Sequence, residues 1–143
     1  MGTGAIKQSS ELETLSIAHS FGGTQGVYRH QSEATNSPMT FSVFVPAHPV
    51  GEKLPVLWYL SGLTCTHANV TEKGEFRKAA SELGIVIVAP DTSPRGDDVP
   101  NVPEYDFGQG AGFYLDATEG PWSTHFNMRS YLKTELPRLL AAN

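Results

Sequence analysis

The chain has 143 residues, ten basic against fifteen acidic side chains and a formal net charge of −5. That length suits one domain of about 150 residues and excludes a large two-domain enzyme. Mild acidity with scattered cations argues against a nucleic-acid surface, and no apolar run approaches the roughly 18 residues of a membrane span.

Residues 1–10 are polar and read as a flexible N-terminus. Glu11 to Ile17 suits a strand, and the three glycines of Phe21-Gly22-Gly23-Thr24-Gln25-Gly26 predict a turn. Val27 to His30 then returns as the second arm of a hairpin. Met39 to Val45 alternates, with Phe41, Val43 and Val45 on one face and Thr40, Ser42 and Phe44 on the other, as in a half-buried strand. Val56 to Leu60 is continuously apolar, as in a strand covered on both faces. A loop over Leu63 to Val70 follows it.

Thr71 to Leu83 has helical spacing, with Thr71 as cap, Glu72 and Glu75 at the positive end, and Phe76, Ala79, Ala80 and Leu83 on the buried face. Gly84 suits the position just past its end. Ile85 to Ala89 reads as a second fully buried strand. Residues 90–120 form a long loop that takes much of the chain's high Gly and Pro content, and such loops are usually functional or disordered. Trp122 to Ala142 predicts one helix, capped by Ser123 or Thr124, with Met128, Leu132, Leu136, Leu139 and Leu140 as its stripe. Pro137 should kink or restart it.

Buried strands alternating with helices imply a mostly parallel α/β sheet behind an N-terminal antiparallel hairpin. Sites in such sheets lie at the carboxyl ends of strands, which places Ser61 to His67 and Asp91 to Gly96 in view. A hydrolase elbow, G-x-S-x-G, must open a helix. The near match Ala18-His19-Ser20-Phe21-Gly22 precedes glycines, so Ser20 reads as a hairpin residue. Cys65 and His67 are too few for a zinc site and lack a feature that would activate the thiol. The acidic stretch Asp97 to Asp106 has no metal-ligand spacing and reads as a solvated loop. Asp91-Thr92-Ser93-Pro94 is a good turn, with Asp91 also a possible acid or base. Leu60-Ser61-Gly62-Leu63-Thr64-Cys65 is the strongest local signal, because hydrolases place one backbone oxyanion donor in a loop after an early buried strand. One cysteine and the lack of a secretory h-region point to a cytoplasmic location.

Four stretches together resemble the S-formylglutathione hydrolase (esterase D) family. They are Phe21-Gly22-Gly23-Thr24-Gln25, Leu60 to Thr66, Ala89 to Gly96, and Gly110-Ala111-Gly112-Phe113-Tyr114-Leu115-Asp116-Ala117-Thr118. The resemblance implies a serine thioesterase on a partial α/β-hydrolase fold, with residues 11–143 as the N-terminal part of one domain. It implies hydrolysis of a small-molecule thioester, S-formylglutathione, to formate and glutathione in formaldehyde removal, with no cofactor and no metal, in a homodimer. It makes the Leu63 N–H an oxyanion donor, Gly62 the residue shaping its turn, and Thr64, Cys65, Phe113, Tyr114 and Trp122 neighbours of the substrate.

The family's nucleophile elbow should follow the 122–142 helix and one further strand, so the serine, aspartate and histidine of the triad are not expected among these residues. Loss of a whole triad costs about 10⁶ in rate, which predicts an inactive isolated chain. Two other readings compete: a broader carboxylesterase or acyltransferase of the same fold, and a non-catalytic half-domain binding an acyl ligand or a full-length partner. Uncovering Ile85 to Val88 would forfeit up to roughly 6–12 kcal/mol, which predicts a marginal, aggregation-prone chain with an open sheet edge.

Overall fold

The structure is a computed structural model that describes residues 12–143. The expectation for residues 1–10 lies outside the described residues. Five strands form one sheet in the order β1-β2-β3-β5-β4. They are β1 (Glu13–Ser20), β2 (Gly23–Ser32), β3 (Ser37–Val45), β4 (Val56–Trp58) and β5 (Val86–Pro90).

The hairpin turn is tighter than the glycine cluster suggested. Phe21 and Gly22 alone make it, both with positive φ (48° and 76°), the geometry of a two-residue turn that follows the strands' own twist. Gly23 to Gly26 belong to β2. Gly23 is needed there for closeness, since a Cβ would stand 2.6 Å from the Val45 carbonyl oxygen.

β1, β2 and β3 pair antiparallel, and β3 also pairs antiparallel with β5. Only β4 and β5 run parallel. The described sheet is therefore mixed, with antiparallel pairing in the majority, against the mostly parallel expectation. The parallel reading extrapolated from one strand–helix–strand unit to strands that form a meander.

β3 is buried on both faces rather than half-buried. Met39, Phe41 and Val43 join one core with Val88, Met128, Tyr131 and Leu136. Phe44 joins a second core on the other face with Ala80 and Ile87. β5 lies between β3 and β4; of the run expected to be fully buried, Ile87 to Ala89 are buried, while Ile85, just before the strand, and Val86 are half-buried.

β4 departs from expectation. It is three residues long and sits at the sheet's edge, with Val56 46% and Leu57 47% exposed. Its run is apolar, but no described strand pairs with its outer side.

The helix expected over 71–83 is two helices, α1 (His67–Lys73) and α2 (Arg77–Leu83), separated at Gly74 to Phe76. Thr71 does not cap. Thr66 does, accepting from the Ala68 N–H while Asn69 reaches back to the Thr66 N–H. Thr71 is instead buried within α1 and hydrogen-bonds Ser42 of β3 at 2.6 Å. Of the expected buried face only Ala80 is fully covered; Phe76 is partly covered, Ala79 is exposed and Leu83 is 70% exposed. Gly84 does end α2, in the left-handed conformation.

The helix expected over 122–142 is also interrupted. A short 3₁₀ turn (Trp122–Thr124) is followed by α3 (Met128–Ser130), a π-helical turn (Tyr131–Glu135) and α4 (Leu136–Ala142). Neither Ser123 nor Thr124 caps. The Asp116 carboxylate holds the start of α3, accepting from the Ser130 N–H at 3.0 Å and its hydroxyl at 2.6 Å. Met128 and Leu136 are buried, and Leu132, Leu139 and Leu140 pack against the same core, as predicted. The π turn answers the Pro137 expectation: the Leu136 N–H bonds the Tyr131 carbonyl five residues back, so the widened turn precedes the residue that has no N–H.

α1 and α2 thus cover one face of the sheet, and the 128–142 helical segment covers the other. The Ser61–Thr66 and Asp91–Arg95 loops leave β4 and β5 at the carboxyl ends of this parallel pair.

Candidate functional site

Three loops meet beyond those strand ends. The Ser61–Cys65 loop leaves β4, and several of its backbone polar groups are tied to the neighbouring loops. The Ser61 carbonyl accepts the Tyr114 hydroxyl at 2.5 Å. The Gly62 carbonyl accepts the Cys65 N–H at 3.1 Å, and the Thr64 N–H donates to the Gly110 carbonyl at 2.9 Å. The Cys65 carbonyl accepts both the Thr92 hydroxyl at 2.6 Å and Arg95 Nη2 at 3.0 Å. Thr64 takes a positive φ of 67° to complete the turn. Among the described residues, no hydrogen bond engages the Gly62 or Leu63 N–H. Both are exposed residues in a loop whose flanks are fixed.

The second loop, Asp91 to Arg95, is the foundation. Asp91 to Pro94 are buried. The Asp91 carboxylate receives Arg95 Nε at 2.9 and 3.1 Å, Arg95 Nη2 at 3.1 Å and the Thr92 N–H at 2.6 Å. It is an occupied anchor, not an unengaged acid or base. Ser93 accepts the Gly110 N–H at 2.6 Å and so ties the second loop to the third.

The third loop, Gly110 to Tyr114, lies on the first. Gly112 has φ 73°, and a Cβ there would approach Gly62 and the Leu63 nitrogen at 3.4–3.5 Å. A larger residue is excluded on conformation and is close to contact. Tyr114 also has a positive φ, 50°. Its phenol is pushed up to about 12 by burial, with Asp91 and Cys65 adding to the rise. It therefore remains a donor across the neutral range. His67, at the start of α1, is pushed below the usual histidine range by burial; Asp91 and Glu72 oppose the fall and Arg95 adds to it. Its Nδ1 is buried without a hydrogen-bond partner among the described residues.

The expected site residues fall in three places. Gly62, Leu63, Thr64 and Cys65 are in the first loop, and Tyr114 is bonded to it. Phe113, beside Tyr114, is exposed between two adjoining clefts of about 240 and 230 Å³. Trp122 stands in the second cleft, edge-on to both Phe107 and Phe126. Ser20 is elsewhere: it pairs with Gly23, and Thr24 pairs with Val45, at the end of the sheet opposite the β5 terminus. The described histidines that make hydrogen bonds reach Tyr131, Pro46 and Thr35, so none of them forms a pair with a serine hydroxyl or an aspartate.

Ser93 and Arg95 lie in the Asp91–Gly96 stretch, and Gly110 and Gly112 in a stretch that carries the resemblance, but the sequence assigned none of them a role. Asp91 and Arg95 four residues apart in a loop were the available signal. A further concavity, about 490 Å³, is separate: it lies on the sheet face among Val43, Val45, Trp58, Val86 and Leu140. Among the described residues no cluster of metal-ligating side chains occurs, and no helix is long and apolar enough to cross a membrane.

The Esterase family profile matches residues 32–143. The S-formylglutathione hydrolase of Paracoccus denitrificans (strain Pd 1222) is 57% identical over 131 residues, which are 92% of this chain and 47% of that protein. A solved S-formylglutathione hydrolase from Agrobacterium tumefaciens is 59% identical with a TM-score of 0.88, over 92% of this chain and 48% of that one. A ferulic acid esterase superposes with a TM-score of 0.62 at 18% identity, over 87% of this chain and 44% of its own, a likeness of fold. The chain thus spans about half the length of the relatives it matches.

Proposed function

Because the chain belongs to the Esterase family and has an α/β-hydrolase fold, we propose that its Ser61–Cys65 loop supplies the backbone oxyanion donor of an S-formylglutathione hydrolase. In this reading residues 11–143 are the N-terminal part of one domain. The observation that carries it is the pair of amides at Gly62 and Leu63, unengaged among the described residues, in a loop tied down at Ser61, Thr64 and Cys65. Fixed N–H groups in such a place stabilise the charge that develops on a carbonyl oxygen when a nucleophile attacks it.

The Leu63 N–H would point at the oxygen of a formyl thioester, with Gly62 shaping the turn. Phe113, Trp122 and Cys65 would border the acyl and thiol parts of the substrate, and Thr64 would keep the turn in register. A serine nucleophile would add to the carbonyl carbon, and collapse of the tetrahedral adduct would expel the glutathione thiolate. Water would then release formate from the acyl-enzyme. The described histidines make no serine or aspartate pair, so this chain supplies the oxyanion side of the reaction rather than the nucleophile. No cofactor enters this chemistry. The resemblance further supports a role in formaldehyde catabolism and a homodimer, and the single cysteine supports a cytoplasmic setting.

A chimera tests this. This chain replaces the matching 131 residues of the Paracoccus denitrificans hydrolase. The chimera is expected to hydrolyse S-formylglutathione and to react with a fluorophosphonate probe, while the 143-residue chain alone does neither. Leu63→Pro removes the donor N–H and should lower kcat by about 10²–10³ with the probe-reactive serine retained. A folded chimera without thioesterase activity, or a Leu63→Pro chimera at full rate, refutes the reading.

A further inference from the structure

The Leu63 amide can serve as a donor only if its loop is held still, and the backbone of Ser61–Cys65 does not hold itself. Its internal bond, from the Cys65 N–H to the Gly62 carbonyl, closes the turn, and the Thr64 N–H bond to the Gly110 carbonyl ties its middle to the third loop, but neither reaches the Ser61 end. Two side-chain clamps hold the ends. The Cys65 end is bound by Thr92 and Arg95, which are bonded in turn to Asp91. The Ser61 end has a single side-chain clamp among the described residues, the Tyr114 hydroxyl at 2.5 Å.

We propose that Tyr114 is a positioning residue, whose phenol holds the Ser61 carbonyl and thereby aims the Gly62 and Leu63 N–H groups. The inference rests on the oxyanion reading above for its functional meaning, and on the loop geometry alone for its structural one. Ser61 O and the Leu63 nitrogen belong to peptide units only one apart. Rotation of the Ser61–Gly62 peptide therefore turns the Gly62 N–H directly and shifts the Leu63 N–H with it. Tyr114 is itself fixed for the task. Its backbone takes a positive φ, and Gly112, two residues before it, lies beside Gly62 and Leu63, where a Cβ would make van der Waals contact at 3.4–3.5 Å. The phenol comes from a different loop, 53 residues on, so it registers the two loops against each other. Phe113 and Tyr114 thus divide the work: the first is exposed toward the clefts, the second faces back into the loop.

Two measurements test this. In the chimera, Tyr114→Phe should lower kcat for S-formylglutathione by roughly 10–10²-fold, the scale of a small misplacement of a catalytic group, with KM within about twofold. In the labelled 143-residue chain, the same substitution should drop the Gly62 and Leu63 amide order parameters from about 0.85 toward about 0.6, with Ile87 and Val88 unchanged. Gly112→Ala, which strains the positive φ of the residue beside the same peptides, should disturb the same two amides. An unchanged kcat with unchanged Gly62 and Leu63 amides overturns the proposal. Equal disturbance at Val88 also overturns it, since Tyr114 would then be a general packing residue. If the chimera is inactive from the outset, the oxyanion reading fails, and the amide measurement still decides whether Tyr114 positions the loop.

Discussion

At the scale of single residues, the ion pair beneath the site carries the clearest energetic consequence. Arg95 is 35% exposed and Asp91 only 10%, so the carboxylate is the more buried partner. Removing the cation strands a nearly buried negative charge with the Thr92 N–H as its remaining strong donor. Arg95→Leu should cost about 3 kcal/mol, the low end for breaking a buried pair because the arginine is partly solvated. Asp91→Asn added to Arg95→Leu should recover about 1 kcal/mol or more, since the stranded charge is gone. Urea midpoints at constant slope measure both, and a double variant no more stable than the single one contradicts the argument. This pair also shows the limit of sequence at residue scale. Asp91-Thr92-Ser93-Pro94 announced a turn, and Leu63 and Tyr114 were named through resemblance. The four-residue spacing of Asp91 and Arg95 was visible, but that Arg95 also reaches the Cys65 carbonyl depends on two loops meeting in space, which spacing along the chain does not encode.

At the scale of elements, periodicity located buried faces better than element boundaries. The stripe Met128, Leu132, Leu136, Leu139, Leu140 was legible because it must meet the sheet whatever the backbone does between its members. The π turn within it was not, since it widens the helix without altering which residues face the core. The 67–83 segment shows the opposite failure. Apolar spacing from Phe76 to Leu83 matched one long helix, but the chain bends at Gly74 and Glu75, where Glu75 takes a φ of 48°. Thr71 turns under Ser42, while Arg77 reaches back to Gln25 and to the Thr71 carbonyl. Within α2 itself Ala80 is buried and Leu83, at the end of the helix, is 70% exposed. Leu83→Ala should therefore change stability by no more than about 0.5 kcal/mol. Phe44→Ala, in the core that α2 covers, should cost about 3–5 kcal/mol. Urea denaturation separates the two, and a Leu83→Ala cost above 2 kcal/mol (about the least expected for a buried leucine) would restore the single-helix face.

At the scale of the whole molecule, the sequence pattern and the observed burial disagree in one place, and the disagreement has a measurable result. Val56 to Leu60 has the continuous apolar character of a strand covered on both faces, yet Val56, Leu57, Tyr59 and Leu60 are each 45–47% exposed. The expected exposure at Ile85 to Val88 has moved outward by one strand, because among the described residues β5 is paired on both sides and β4 on one. Behind β4, the apolar concavity of about 490 Å³ opens between the sheet and the 128–142 helical segment. An unpaired strand edge beside an apolar hollow is a template for association, as backbone donors and acceptors and apolar surface are satisfied together by a second strand. The relatives matched here are about twice as long as this chain, so an equal length of polypeptide accompanies the same fold in them. The 143-residue chain studied by itself should therefore self-associate, with a weight-average sedimentation coefficient that rises with concentration. Leu57→Lys puts a charge on the open strand, where it can remain solvated, and should return the chain toward monomer with little change in its far-UV circular dichroism. A wild-type chain that stays monomeric to its solubility limit would show that the β4 edge is protected after all. A Leu57→Lys chain that associates as strongly as wild type would place the contact elsewhere on the molecule.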